Sequence, residues 1–330
     1  MTSIIPKTNF TKVMEFNRAF DMVAQEPTIY SSYYEDLNGN IKYNPLKNIR
    51  KDIFRDSTPI IKLRLALIKE EIEELNGAIL QNDLIEQRDA CSDILYVVYG
   101  MADVLGISID DYFSMKINTQ INDNLNYYIN NNLTTDFLLK TELNNTNNNT
   151  TDTNIDITSH ISNFNKVKLI KNEILNFNIN GKPRLELIYI IKSNINKTYL
   201  ELENSCIVSE IDYFNDETIT SKFEIVANNL HHLLKLAYLM TYVIGADADA
   251  DFAIVHDSNM SKLCDNIEDA KETVKDYQIK FIAGVSPYDT PHYYYLPTLN
   301  KWIVKNLTTG KALKNIKYKK VSFKNPRFVF

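Results

Sequence analysis

Apolar residues recur at helical spacing along most of this chain, and the stripes they form predict its elements. Val13, Phe16, Phe20 and Val23 predict a helix over 11–25, stopped at Pro27. Leu65, Ile68, Ile72 and Leu75 form a stripe on a helix that opens at Pro59, behind a cap at Ser57 or Thr58, and runs to about Gln81. The next helix runs from about Glu86 to Gly106, a glycine placed for the left-handed residue that ends helices. Further helical patterns cover 110–122, 164–177, 184–203, 222–244, 251–263 and 267–278. Residues 28–58 read as irregular, with a turn at Asn38-Gly39. The tail changes character. Tyr293-Tyr294-Tyr295-Leu296 and Lys301 to Lys305 are strand-like, a turn holds Thr309-Gly310-Lys311, and Lys317 to Phe323 is placed to pair back. The expected fold is mainly α with a small C-terminal β-hairpin or sheet.

Between the helical patterns, residues 129–160 are rich in Asn and Thr. Such a segment buries too little apolar surface to offset its ordering entropy, and it reads as a linker. On either side of it the chain resembles itself. YGMADVLGISIDDYF (99–113) and YLMTYVIGADADADF (238–252) share Tyr99/Tyr238, Met101/Met240, Val104/Val243, Gly106/Gly245, Asp110/Asp249 and Phe113/Phe252. The preceding helices align loosely, 67–75 against 190–198. This predicts a duplicated helical bundle: a first repeat over 1–128, a linker over 129–160, a degenerate second repeat over 161–280 and a β extension over 281–330.

The chemistry concentrates on two consecutive helices. Glu70, Glu71 and Glu74 fall within a sector of roughly 100°, apart from the apolar stripe. Asp89 and Asp93 lie one turn apart on the next helix, and Asp93 directly precedes the apolar run Ile94 to Val98, a costly place for an unpaired charge. A Glu-rich run is often only a solvated helix face. Against that, the second repeat keeps the apolar stripes while the aligned positions Ser193, Asn194, Lys197, Asn228 and His232 carry no carboxylate. Converging carboxylates form an oxygen-only site of the kind hard divalent cations prefer, Mg²⁺ first and Mn²⁺ as an alternative.

Other polar residues carry two readings each. His256, Asn259 and Lys262 recur every third position, either a polar surface face capped at Ser258 or a group that holds a phosphate chain or base. Lys311 and Lys314 either reach phosphates or line a solvated hairpin edge. His231-His232, which diverge by about 100° on a helix, read as core or surface rather than metal ligands. Tyr293 to Tyr295 read as packing rather than base stacking.

Composition narrows the function classes. Gly-rich phosphate loops (G-x-G-x-x-G or G-x-x-x-x-G-K-[ST]) do not occur, and a net charge of −6 disfavours nucleic acid as a partner. Cys91, Cys206 and Cys264 are far apart, which fits a reduced protein of the cytoplasm or another reducing compartment, without zinc. Met1 to Phe10 lacks a signal-peptide apolar core, and the apolar run around 233–244 contains Lys235 and is too short to span a membrane.

Taken together, Glu70-Glu71-x-x-Glu74-Leu75, then Asp93-Ile94-Leu95-Tyr96-Val97-Val98-x-Gly100 and Gly106-Ile107, resemble the all-α nucleoside triphosphate pyrophosphohydrolases, which include MazG-type enzymes, dimeric dUTPases and phosphoribosyl-ATP pyrophosphohydrolases. The nearest likeness is to a MazG-like branch with a later Val-His-x-Ser-Asn-Met-x-Lys segment, here Val255 to Lys262, and a closing Gly-Lys-x-x-Lys, here Gly310 to Lys314. The resemblance implies α–β phosphate cleavage of a nucleoside triphosphate to monophosphate and pyrophosphate. It implies metal binding by Glu71, Glu74 and Asp93, catalysis by Glu70 or Glu71, and substrate contacts from Arg64, His256, Asn259, Lys262, Lys311 and Lys314. The family pattern E-x-x-E, E-x-x-D is broken at Ala90, with Asp89 one residue earlier as its substitute. Family members form dimers, so the duplication implies a pseudo-dimer within one chain, with further homodimerisation left open. The rival expectation is a nucleotide-binding or scaffolding protein of this fold that has lost catalysis.

Overall fold

The computed structural model describes residues 8–20, 33–35, 41–43, 59–107, 109, 178–179, 182–209, 212, 215–297 and 299–323. Its elements in chain order are α1 (Asn9–Ala19), β1 (Tyr33–Glu35), β2 (Ile41–Tyr43), α2 (Pro59–Gln81), α3 (Leu84–Leu105), β3 (Asn178–Ile179), β4 (Lys182–Pro183), α4 (Arg184–Ser205), α5 (Asp216–Val243), α6 (Ala248–Met260), α7 (Ile267–Ile282), β5 (Pro291–Leu296) and β6 (Lys301–Asn306). The fold is mainly helical with a small C-terminal antiparallel sheet. The expected turn at Asn38-Gly39, the cap at Ser57 or Thr58, the helices at 110–122 and 164–177, the stop at Pro27 and the linker at 129–160 lie outside the described residues. The 28–58 stretch, expected to be irregular, contains an antiparallel ladder pairing Tyr33–Glu35 with Ile41–Tyr43.

The helices begin where short polar side chains satisfy the open backbone donors of the first turn. Asp83 accepts from Ile85 and Glu86 at the start of α3, Asn215 from Glu217 and Thr218 at α5, and Asp247 from Asp249 and Ala250 at α6. At the far end, α3 closes on Gly106 at φ 72° and α5 on Gly245 at φ 78°. After each glycine the next amide bonds back to an earlier carbonyl, Ile107 to Ala102 and Ala246 to Thr241, which satisfies the last turn.

The antiparallel pair α2–α3 packs against the pair α4–α5, and α1 and α6 lie across α3. Ile68, Leu75, Ile94, Leu95, Ile195, Leu230, Leu234 and Phe252 are among the fully buried members of one continuous core. The two pairs touch through matching residues. Asn76 and Asn196, 120 positions apart, exchange side-chain amide hydrogen bonds of 3.0 and 3.3 Å. The Tyr99 and Tyr238 hydroxyls, 139 positions apart, meet at 3.5 Å. The α2–α4 contact therefore stands three residues from the offset that sets 67–75 against 190–198. At the offset of 120 residues set by Asn76 and Asn196, Arg64-Leu65-x-Leu67-Ile68 aligns with the same letters at Arg184-Leu185-x-Leu187-Ile188.

The tail departs from expectation at its end. β5 and β6 pair in register from Pro291↔Asn306 to Leu296↔Lys301 and pack on α7. Residues 317–323 do not join that ladder; they run as an extended strap back over α6. Asn315 donates to the Ser261 and Leu263 carbonyls at 2.8 and 2.6 Å, and the Lys319 amide donates to the Ser261 hydroxyl at 3.0 Å. Before the strap, Ala312 bridges Lys305 of β6, and Leu313 is buried with its amide bonded to the Val304 carbonyl at 2.8 Å.

Candidate functional site

Helical spacing sets two walls of a cavity of about 320 Å³. On α2, Arg64, Leu67, Glu70, Glu71 and Glu74 share one face; on α3, Asp89, Asp93, Tyr96 and Val97 share another. The remaining walls come from Phe16 and Asn17 of α1, from Val255, Ser258 and Asn259 of α6 with Lys262 just beyond it, from Lys311, Ala312 and Lys314 after β6, and from Tyr318 and Val321 of the strap. Carboxylates of α2 and α3 thus gather on one side, and the ammonium groups of Lys262, Lys311 and Lys314, from segments far along the chain, on the other.

The acids strain against burial and each other. Burial, then the charges of Asp93, Glu74 and Glu70, push the Glu71 carboxyl well above the usual range; burial and Asp89 do the same to Asp93. Asp89 rises to about 6, by burial first and Glu86 second, and Glu74 rises by burial and the charge of Glu70. The Asp89 Oδ1 oxygen is buried without a hydrogen-bond partner. Among the described residues, no three His, Cys, Asp or Glu side chains are already drawn together as a metal cage. The oxygen-only donor set of the carboxylates and the orphaned Asp89 oxygen fit a hard divalent cation.

The cations are also held. Lys262 donates to the Asn259 side chain at 2.6 Å and lies over the Phe16 ring at 5.6 Å; burial lowers its pKa to about 8 against the pull of Asp93. Lys311 pairs with Glu70 at 3.7 Å, and Lys314 stands over the Tyr318 ring at 4.8 Å. Arg64 is buried deepest. It donates to Asn17 at 3.2 Å, and Asn17 in turn donates to Asp103 at 2.7 Å. Burial lowers Arg64 to about 10, opposed by Asp103. Gly100 makes room for it: a Cβ there would stand 2.6 Å from Arg64 Nη1.

Of the residues expected from the sequence, Arg64, Glu70, Glu71, Glu74, Asp89, Asp93, Asn259, Lys262, Lys311 and Lys314 line this one cavity. His256 does not. Its ring stacks behind Tyr96, with Nδ1 3.1 Å from the Tyr96 hydroxyl, so it reaches the cavity only through that tyrosine. Helix α6 ends at Met260, so Lys262 stands on the following turn rather than on the helix face. Ser258 is not a cap: its hydroxyl lies 2.8 Å from both the Tyr318 hydroxyl and the Lys319 carbonyl, tying the strap down. Sequence reasoning missed Asn17, Tyr96, Asp103 and the pair Arg88–Asp251. Asp103 carried the signal that exposed Asp93, an acid inside an apolar helical run. Asn17 carried none, because a lone Asn on a short helix has no partner visible in sequence. Cys91, Cys206 and Cys264 are buried and unbridged, and no helix among the described residues is long and apolar enough to cross a membrane.

Residues 15–115 match the family of phosphoribosyl-ATP pyrophosphohydrolases, a member of the all-α nucleoside triphosphate pyrophosphohydrolase superfamily. The chain is also similar to an uncharacterized protein, L479, of Acanthamoeba polyphaga mimivirus, 29% identical over 327 residues, covering 97% of this chain and 94% of that one. No solved structure matches. The family match covers α2 and α3, which carry every carboxylate of the cavity and Arg64; Lys262, Lys311 and Lys314 lie outside it.

Proposed function

We propose that this chain, whose residues 15–115 match the phosphoribosyl-ATP pyrophosphohydrolase family, cleaves the α–β bond of a nucleoside triphosphate to give a monophosphate and pyrophosphate. The observation that carries this reading is the divided charge of the cavity: five carboxylate residues of α2 and α3 face Lys262, Lys311 and Lys314. A phosphate chain bridges such a division only with a cation on its acidic side. Glu71, Glu74, Asp93 and Asp89 are the residues that would hold Mg²⁺ or Mn²⁺. Bound there, the cation supplies charge neutralisation and polarises the phosphorus under attack.

The chain's own groups account for the rest. Glu70, or Glu71 when it is ionised, orients the attacking water and accepts its proton. Lys262, Lys311 and Lys314 offset the charge that develops on the departing pyrophosphate. Arg64, fixed by Asn17 and Gly100, supplies a planar fork for phosphoryl oxygens. Phe16 and Tyr96 bring aromatic surface to the same cavity, which suits a base. For substrates we favour a house-cleaning role on deoxynucleotides, dUTP or dCTP first, with phosphoribosyl-ATP as the competitor that the family match brings in. The chain is read as a fused pseudo-dimer, supported by the Asn76–Asn196 and Tyr99–Tyr238 contacts and by the two glycine-terminated helices.

A nucleotide panel with Mg²⁺ and pyrophosphate detection tests this. Turnover of one or more triphosphates, abolished by Glu71→Gln, is the expected result. Absence of turnover across the panel, in protein shown to bind Mg²⁺, overturns it. That outcome would favour the second reading, a nucleotide-binding protein without catalysis, for which Ala90 in place of the family glutamate is the specific observation.

A further inference from the structure

Arg184 opens α4 and is buried to 1% exposure, yet none of its three guanidinium nitrogens has a hydrogen-bond partner. Its counterpart across the bundle is Arg64. The register set by Asn76 and Asn196 aligns Arg64-Leu65-x-Leu67-Ile68 with Arg184-Leu185-x-Leu187-Ile188, and both arginines are buried with their pKa lowered to about 10. The partners differ. Arg64 has Asn17 and, behind it, Asp103. For Arg184, burial acts with no acid to oppose it.

The same register shows what the second half has lost. Ile190, Ile191 and Asn194 stand where the first half has Glu70, Glu71 and Glu74. At the separation of Tyr99 and Tyr238, Asn228 and His232 stand where it has Asp89 and Asp93. An arginine kept while every metal acid is gone is suited to hold an anion directly, with no cation between them. A guanidinium does not shed its proton, so burial leaves it in need of an acceptor with paired oxygens. It also stands in the first turn of a 22-residue helix, where open amides and the helix dipole favour negative charge.

We propose that Arg184 anchors a second site, which binds a phosphoryl oxyanion (phosphate, pyrophosphate or the phosphate of a nucleotide) without a divalent cation and without hydrolysing it. The inference rests on the duplication described above and not on hydrolysis in the acidic cavity. There the five carboxylate residues repel a bare anion, so omitting the metal separates the two sites.

The test uses the full chain in EDTA, followed by calorimetry and thermal melting with inorganic pyrophosphate, inorganic phosphate and a nucleoside monophosphate in separate arms. Expected is saturable binding of one anion per chain. Arg184→Met weakens it about tenfold or more, as loss of a bidentate contact does, while Lys197→Met, at an exposed position of the same helix, leaves it unchanged. The arm with the lowest Kd identifies the source of the phosphoryl group. Should Arg184→Met not fold, Arg184→Lys, which keeps the charge but not the fork, must still weaken binding. Equal binding by wild type and the Arg184 variant, or no binding in any arm, overturns the proposal. Binding at Arg184 in a protein that turns over no triphosphate keeps this site and removes the hydrolase reading; turnover without metal-free binding does the reverse.

Discussion

Arg88 and Asp251 form a buried, two-pronged ion pair, with Nε 2.8 Å from Oδ2 and Nη2 2.6 Å from Oδ1. Their side chains are only 7% and 2% exposed, and the guanidinium is covered by the Phe323 ring at 4.7 Å. Arg88 precedes Asp89 on α3, and Asp251 lies two turns before Ser258 on α6. The pair therefore sets the acidic wall of the cavity against the α6 wall.

Breaking this pair by one substitution leaves a buried charge without its opposite in the pair. Arg88→Met or Asp251→Leu should each cost about 3–5 kcal/mol of unfolding free energy, and the double variant should recover most of the loss. Urea denaturation of the three variants checks this; equal losses in the single and double variants would show that the pair is not coupled.

Glu71 should trade stability for function. Its carboxyl is raised above the ordinary 4.5 by burial and by Asp93, so the folded state holds its proton more tightly than the unfolded chain does. The metal-free protein accordingly loses stability as pH rises from the ordinary carboxylate range through neutrality. Glu71→Gln should flatten this loss, raise metal-free stability at pH 8 by on the order of 1–2 kcal/mol, and abolish turnover. Denaturation at pH 5 and pH 8, with a pyrophosphate-release assay, measures both effects.

Gly100 is fixed by Arg64 rather than by its own backbone. A methyl group at Gly100 would press on Arg64 Nη1 and approach Val13 Cγ1 at 3.8 Å. Gly100→Ala should cost about 1–3 kcal/mol through overpacking and displace Arg64 from Asn17. A drop in kcat/KM of about tenfold, the value of one charged contact of about 1.4 kcal/mol, is expected. Gly77→Ala on the neighbouring helix, where no atom lies within 4 Å, is the control and should leave activity unchanged.

His231 sets an acid limit on the fold. It is fully buried, and burial, then His232 and Lys235, lower its pKa from 6.5 to about 3. Below pH 6.5 the unfolded chain takes up a proton that the folded chain refuses, so stability falls with acidification down to about pH 3. At pH 5 this one group removes about 2 kcal/mol. His231→Gln should lessen the decline between pH 7 and pH 5, read by the denaturation midpoint at each pH.

Much of the architecture was legible because it is local. The stripes at Leu65–Leu75 and the glycine at 106 act within a turn or two, so periodicity located α2, α3, α4, α5, α6 and α7, whereas the caps at Asp83, Asn215 and Asp247 were not read from the sequence. The acids were legible for the same reason, since Glu71/Glu74 and Asp89/Asp93 share faces by spacing. The sequence suggests a likeness between the halves at an offset of 123 for 67–75, and the Asn76–Asn196 contact stands at an offset of 120, because short apolar stripes align almost equally well at neighbouring offsets.

The sequence by itself determined the helices, the charged faces they carry and the segments rich in candidate chemistry. Only the tertiary structure decided which faces meet: that Lys262, Lys311 and Lys314 stand opposite Glu71 and Asp93, that the strap covers α6 instead of extending the sheet, that His256 sits behind Tyr96, and that Arg64 has a partner while Arg184 has none. The physical reason is range. Helix formation and capping depend on neighbours a few residues apart, whereas a cavity depends on burying apolar surface between segments far apart in the chain, an attraction without direction. Its outcome becomes specific only when all the surfaces are packed together.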